Sequence, residues 1–284
     1  MSALMLAFGV LTAQAGTRDL QHVTLIGDSV ADGVAQDDDA IAILRQGVDL
    51  DLEVEACRRV DQQSCTVDGV QPPNVVQLAK TMGSKLGPNV VVAVGYNDYE
   101  NQYAQNIENA LDALQAAGVK HVSWLTLRAA HHGYVNMNDD IAAAAQRHPQ
   151  VSVVDWNLYS RSHPEWFQDD GVHLLNPGSE AMATLIHQSL VDDGIAAKPV
   201  QLLTKSLPVA HRGKRYSARL RAAVGDAPYR WSLLARAPRG IHLEASGALI
   251  GKPLVRPGAY VLNVRVKDAD GSFDTRRITL RVKS

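Results

Sequence analysis

The chain has 284 residues, 46% of them hydrophobic and 20% charged, which is enough apolar material for two ordinary globular domains and excludes a disordered chain. Its formal net charge of −2 hides an asymmetry: residues 201–284 carry 17 Lys and Arg against 5 Asp and Glu, a net +12, which leaves −14 on the first 200. A basic tail without a basic helix or a platform of stacking aromatics does not read as a nucleic-acid binder. It fits either attraction to an anionic cell-envelope polymer or docking against its own acidic partner domain.

In chain order, MSALMLAFGVLTAQAG is an apolar run closing on Ala13-Gln14-Ala15, the small-x-small pattern of a signal-peptidase site. Residues 1–15 therefore read as a signal peptide, although one without the usual basic n-region, and the expectation is a secreted or surface-associated protein. No later segment has the roughly 20 apolar residues of a membrane span. Apolar β-branched runs at 23–26, 50–55, 90–94, 121–125 and 151–155 read as short strands, and the helical spacing of apolar residues at 75–86, 100–117, 137–147 and 179–191 reads as the helices between them. Alternating βα units predict an α/β fold, a flavodoxin-like doubly wound parallel sheet, over residues 20–196.

From about residue 199 the helical periodicity stops. Short alternating stretches such as Tyr260-Val261-Leu262-Asn263-Val264-Arg265-Val266, bounded by Gly, Pro and Asp-Gly turns, predict an all-β module over residues 200–284. Asp268-Ala269-Asp270-Gly271 has the alternating aspartates of a calcium loop but lacks the closing glutamate, so Asp270-Gly271 is read as a hairpin turn. Leu207-Pro208, Tyr216-Ser217-Ala218, Tyr229-Arg230-Trp231 and Ser246-Gly247-Ala248-Leu249 resemble the immunoglobulin-like domains of bacterial surface proteins, which implies a C-terminal β-sandwich.

Cys57 and Cys65 are the only cysteines. In an exported protein a pair this close reads as one disulfide, and no His or Cys lies beside them at the spacing of a zinc site, so no metal is expected there.

In an open α/β sheet reactive groups gather at the carboxyl ends of the strands. The first predicted strand runs into Gly27-Asp28-Ser29, the third into Gly95-Tyr96-Asn97-Asp98, and the loop before the last helix holds Asp170-Gly171-Val172-His173. A serine hydroxyl needs a base to take its proton, and the base needs a carboxylate to hold its tautomer. Ser29 as nucleophile, His173 as base and Asp170 as its orienting acid meet that need, and Asp169 is a bystander. This serine chemistry implies no cofactor. The oxyanion needs fixed donors, which the Ser29 N–H and the Asn97 amide would supply, while Asp28 and Gly95 beside them are expected to contact substrate.

Together these three blocks resemble the SGNH/GDSL hydrolase superfamily over residues 22–192, with a fit close to the free-standing domains related to sugar O-acyltransferase tails. The resemblance implies metal-independent acyl-ester chemistry, here on a small acyl group such as acetyl carried by a carbohydrate or another alcohol. Acyl transfer to a sugar hydroxyl is the alternative enzymatic reading, and an inert α/β domain beside an envelope-binding sandwich is the non-enzymatic one. One departure stands out: the family places a glycine after the second strand as a third oxyanion donor, whereas this chain has Ala56-Cys57-Arg58-Arg59. The N–H of Arg58 or Arg59 is the expected substitute, with the disulfide holding the loop, and a guanidinium there would favour an anionic or sugar-bearing substrate. Elsewhere His131-His132 reads as a solvated loop, Trp124, Tyr134, Trp156 and Trp166 as core or cleft lining, and Asp37-Asp38-Asp39 as a turn or helix cap.

Overall fold

The structure is a computed structural model that describes residues 19–69, 71–130 and 132–284. The expected signal peptide at residues 1–15 and His131 lie outside the described residues. The chain divides into two compact units, Leu20–Pro199 and Val200–Ser284.

The first unit is a sheet of five parallel strands in the order β2-β1-β3-β4-β5, formed by β1 (Gln21–Gly27), β2 (Val48–Val54), β3 (Asn89–Ala93), β4 (His121–Leu125) and β5 (Val151–Val154). β3 is buried along its whole length, as a central strand covered on both faces must be, and its NVVVA run suits that position. One face packs on α3 (Val75–Met82), α4 (Tyr103–Ala116) and α5 (His132–Arg147) through Leu78, Ile107, Leu114 and Ile141. The other packs on α1 (Ser29–Ala35), α2 (Asp38–Leu44) and α7 (Asn176–Asp192) through Val30, Leu44, Met182 and Ile186, and α6 (Trp156–Ser160) follows β5. Two independent cores on one sheet are the mark of a doubly wound fold.

Several helix boundaries differ from the sequence reading. α3 starts with a full capping box between Asn74 and Gln77 but stops at Met82, because Gly83 turns to φ +53 and a short 3₁₀ turn carries the chain to Leu86. α5 begins at His132, so this histidine is an exposed helix start and not part of a loop. α1, α2 and α6, of seven, seven and five residues, are too short to show a helical period; only the start of α1 at Ser29 and the cap of α2 among Asp37-Asp38-Asp39 are marked in the sequence.

The second unit is built from β6 (Gln201–Leu202), β7 (Ala210–His211), β8 (Tyr216–Arg219), β9 (Ala222–Ala223), β10 (Arg230–Leu233), β11 (Ile241–Leu243), β12 (Ala248–Gly251), β13 (Gly258–Lys267) and β14 (Phe273–Lys283), paired antiparallel except where β14 pairs in parallel with β7. Its longest hairpin joins β13 to β14, and alternate residues Leu262, Val264, Val266, Ile278, Leu280 and Val282 enter a core shared with Trp231 and Tyr216. The hairpin turn is the Asp268–Ser272 segment: Asp268 N–H donates to the Ser272 carbonyl at 2.9 Å, and Gly271 takes φ +93. The sheets are β10-β13-β14-β7, β11-β12-β8 and a two-stranded β6-β9 ribbon. Among the described residues no helix is long and apolar enough to cross a membrane.

Candidate active site

At the end of β1 the chain turns through Asp28 into α1. Asp28 is fully buried and caps that helix, its Oδ1 accepting the Val30 N–H at 3.0 Å. Its Oδ2 accepts the N–H groups of Gly95 and Tyr96 at 3.1 and 3.2 Å, so one carboxylate ties the turn after β1 to the turn after β3. Burial raises its carboxyl to about 6 while these N–H groups pull it down. The expectation that Asp28 and Gly95 contact substrate is corrected here. Asp28 has no accessible surface, and the Gly95 N–H is committed to Asp28. A Cβ at Gly95 would come within 2.6 Å of the Tyr103 hydroxyl, so glycine is there for close approach and both residues position backbone.

Ser29, thus placed at the first turn of α1, presents Oγ 3.0 Å from His173 Nε2. The other imidazole nitrogen, Nδ1, lies 2.6 Å from Asp170 Oδ2. Asp170 Oδ1 accepts the N–H groups of Val172 and His173 at 2.9 and 3.0 Å, a closed turn that Gly171 at φ +69 permits. The hydrogen bond from His173, then that from Val172, holds the Asp170 carboxyl down at about 2, so it stays ionised across the neutral range. The loop is anchored at its base by Gln168 N–H donating to the His173 carbonyl at 2.8 Å and by a bridge between Phe167 and Leu174. Asp169 makes none of these contacts.

In the turn after β3 the Asn97 side-chain amide donates to the Arg58 carbonyl at 3.4 Å, and Ser29, as a first-turn residue, has an N–H without a helical partner by position. The loop after β2 is held by the Cys57–Cys65 disulfide, with Cα atoms 5.3 Å apart. It is held again by Asp98, both of whose carboxylate oxygens accept the Val60 N–H at 3.1 and 3.2 Å. Burial raises the Asp98 carboxyl to about 7 against the pull of that N–H. The left-handed turn that a glycine would take easily is made by Cys57 at φ +69, a conformation that costs an ordinary residue about 1 kcal/mol or more.

Arg58 does not stand where the sequence reading put it. Its N–H donates to the Glu55 carbonyl at 3.3 Å. Its side chain, 1% exposed, turns inward so that Nε meets the Gly27 carbonyl at 3.1 Å and a terminal nitrogen meets the Pro73 carbonyl at 2.5 Å. The Arg59 N–H is engaged as well, with Ser64 Oγ at 3.3 Å. Neither backbone N–H is therefore free to serve as an oxyanion donor, and Arg58, whose pKa burial lowers while Glu53, Glu55 and Asp28 raise it, is a brace under the nucleophile turn.

Trp124 and Trp156 are core residues, 1% and 0% exposed. Tyr134 packs edge-on against Tyr96 at 5.2 Å, and Trp166 is stacked between His163 at 3.9 Å and Trp156 at 6.0 Å. What sequence reasoning missed is a cleft of about 330 Å³ that opens on Ser29 and His173 and is lined by Asp32, Gln36, Asp37, Gln168 and Asn176. Asp37 is the helix cap expected from the sequence, accepting the N–H groups of Asp39 and Ala40. The three-residue step from Ser29 to Asp32 on a helix was the available signal for a shared face.

Comparisons with known proteins fall on both units. Residues 199–283 match the family model described as "Putative Ig domain". A protein of Bacillus subtilis named putative peptidoglycan O-acetyltransferase YrhL is 28% identical over 158 residues, 54% of this chain and 24% of that one. O-acetyltransferase OatA of Staphylococcus aureus is 33% identical over 107 residues, 38% of this chain and 17% of that one. The chain thus spans about a quarter or less of the length of these relatives. Among solved structures, the C-terminal catalytic domain of peptidoglycan O-acetyltransferase A from Streptococcus pneumoniae aligns at 19% identity and a TM-score of 0.48, covering 62% of this chain and 96% of that one. In its strand-end motifs and its parallel β2-β1-β3-β4-β5 sheet the first unit resembles the SGNH/GDSL type, and the chain joins it to a segment that matches an Ig-like domain.

Proposed function

We propose that the α/β unit is an acyl-ester enzyme working through an acyl group carried on Ser29. Ser29 Oγ attacks the ester carbonyl while His173 Nε2 takes its proton, and the Asp170 carboxylate stabilises the imidazolium. The Ser29 N–H and the Asn97 amide face the oxyanion. Collapse expels the alcohol with the proton returned by His173, and water, deprotonated by the same imidazole, then releases the acid from Ser29. The single observation that carries this reading is the continuous relay from Ser29 Oγ through His173 to Asp170, at 3.0 and 2.6 Å. The substrate we propose is a small acyl ester, such as an acetyl ester, of a carbohydrate or another alcohol.

A second reading is transfer of the acyl group to a sugar hydroxyl instead of water, favoured by the O-acetyltransferase names of the curated relatives. Both readings share the acyl-enzyme and differ only in the second nucleophile. The test is release of p-nitrophenol from p-nitrophenyl acetate by the full chain and by Ser29→Ala, with and without a chito-oligosaccharide acceptor. Equal release by the two proteins overturns the acyl-enzyme. Acetate appearing as a sugar ester selects transfer, and acetate appearing only as free acid selects hydrolysis.

The C-terminal unit is proposed as an anchor of a secreted or surface-bound enzyme on an anionic envelope polymer. It carries a groove of about 620 Å³ lined by Lys214, Arg215, His242 and Lys252, and net +12 charge would draw a polyanion to it.

A further inference from the structure

The cleft beside Ser29 has a chemical character of its own. Proton return bears on which part of an ester it receives: His173 must deliver its proton to the leaving oxygen, so the alcohol departs on the imidazole side of the scissile bond. The cleft is lined by His173 itself, the imidazole from which that proton comes, together with Gln168 and Asn176.

Its walls carry acceptors and negative charge. Among the described residues no Lys or Arg lines it, whereas the carboxylates of Asp32 and Asp37 do. Asp32 already accepts from the Gln36 amide at 2.6 Å. Asp37 is 8% exposed; its Oδ1 caps α2, and its Oδ2 is buried with no hydrogen-bond partner. An orphaned buried carboxylate oxygen is costly and calls for a donor that the protein does not supply. The neighbouring Glu180 registers the same field: burial first, then the charges of Asp37 and Asp39, raise its pKa.

From this arrangement, and resting on the acyl-ester reading above, we infer that the cleft binds the alcohol portion of the substrate and selects alcohols rich in hydrogen-bond donors and carrying positive charge. An amino sugar with a free ammonium group is the type, and anionic sugars are disfavoured. A hydroxyl or ammonium hydrogen reaching Asp37 Oδ2 would satisfy the orphaned oxygen, while a sugar carboxylate would face Asp32 and Asp37 with like charge. This reverses the preference for anionic substrates expected from an arginine beside the oxyanion, since Arg58 is turned inward.

The experiment compares kcat/KM of the full chain on three acetyl esters at neutral pH: 6-O-acetylglucosamine, 6-O-acetyl-N-acetylglucosamine and an O-acetylated glucuronate. The expected order is cationic, neutral, anionic, with about tenfold or more between the ends. Asp37→Asn, which keeps a good helix cap, and Asp32→Asn should each compress the cationic-to-anionic ratio by about threefold or more. The readout is a ratio, so a general loss of activity in a variant cancels. A flat or reversed order in the wild-type chain, or a ratio unchanged in both variants, overturns the inference. If p-nitrophenyl acetate is still cleaved in a Ser29-dependent manner in that case, the acyl-ester reading stands without it; if it is not cleaved, that reading fails and takes this one with it.

Discussion

In the α/β unit, carboxylates are drawn inside and held by backbone N–H groups: Asp28 accepts three of them with no surface exposed, and Asp98 grips Val60 with both oxygens. Even an arginine, Arg58, is buried against two carbonyls. In the C-terminal unit none of the 17 Lys and Arg of residues 201–284 is buried, and the core is apolar strand residues. The contrast separates two uses of charge. An interior charge has a short list of partners and fixes the position of backbone to a few tenths of an ångström, at the cost of desolvation. A solvated charge fixes nothing locally but adds to a field that reaches about a Debye length and fades with salt.

The division can be broken most directly at Ser29. Ser29→Ala should lower turnover of p-nitrophenyl acetate by about a millionfold, the scale for loss of a serine nucleophile, and leave retention on an anionic polymer column unchanged; a fall in retention would mean that the two units do not work separately. Asp170→Asn should cost about ten-thousandfold in kcat by releasing the imidazole tautomer. Because the Asp170 carboxyl is held at about 2, it stays ionised well below neutrality, and any loss of activity between pH 4 and 7 must come from another group.

Reversing the groove charges with Lys214→Glu, Arg215→Glu and Lys252→Glu should weaken retention on immobilised polyphosphate by about tenfold at low salt, with the difference vanishing toward 1 M salt. Ester turnover should not change. Retention equal to wild type would remove the groove as the anchor.

Asp98→Asn sharpens the interior side of the comparison. A folded-state pKa raised to about 7 from 3.8 means the native state binds more protons than the unfolded one between those values, so this group makes stability fall as pH rises from about 4 to 7. The variant lacks that slope. Its stability relative to wild type should therefore increase across this window, by an amount on the order of a few kcal/mol at most, read as the difference in denaturant midpoints at pH 4 and pH 7. A constant difference would show that Asp98 ionises as an ordinary carboxyl.

The sequence by itself determined where the strands run and which residues stand at their ends, because a β-branched apolar run such as Val90-Val91-Val92 carries its own propensity and its own need for burial on both faces. From strand ends the parallel topology brings Ser29 and Asn97 to one edge of the sheet, and the contact of His173 with Ser29 adds the Asp170–His173 loop to them. The same local logic made the Asp270-Gly271 hairpin readable, since the turn chemistry is confined to a few residues. The extents of the short α1 and α2 were not readable beyond their capped starts, because two turns of helix are held by caps from Asp28 and Asp37 and by packing against α7, not by a period.

Only the tertiary structure decided what each polar side chain does once it arrives. Asp28 and Asp170 are both aspartates in tight turns beside the same serine, yet one is raised to about 6 by burial and the other lowered to about 2 by an imidazole at 2.6 Å. Arg58 could be placed in the loop by its number in the chain, but the direction of its guanidinium depends on Gly27 and Pro73 carbonyls that come from 31 and 15 residues away. Position follows from strand order, which local sequence encodes; ionisation and direction follow from desolvation and hydrogen-bond geometry, which exist only after distant segments have packed.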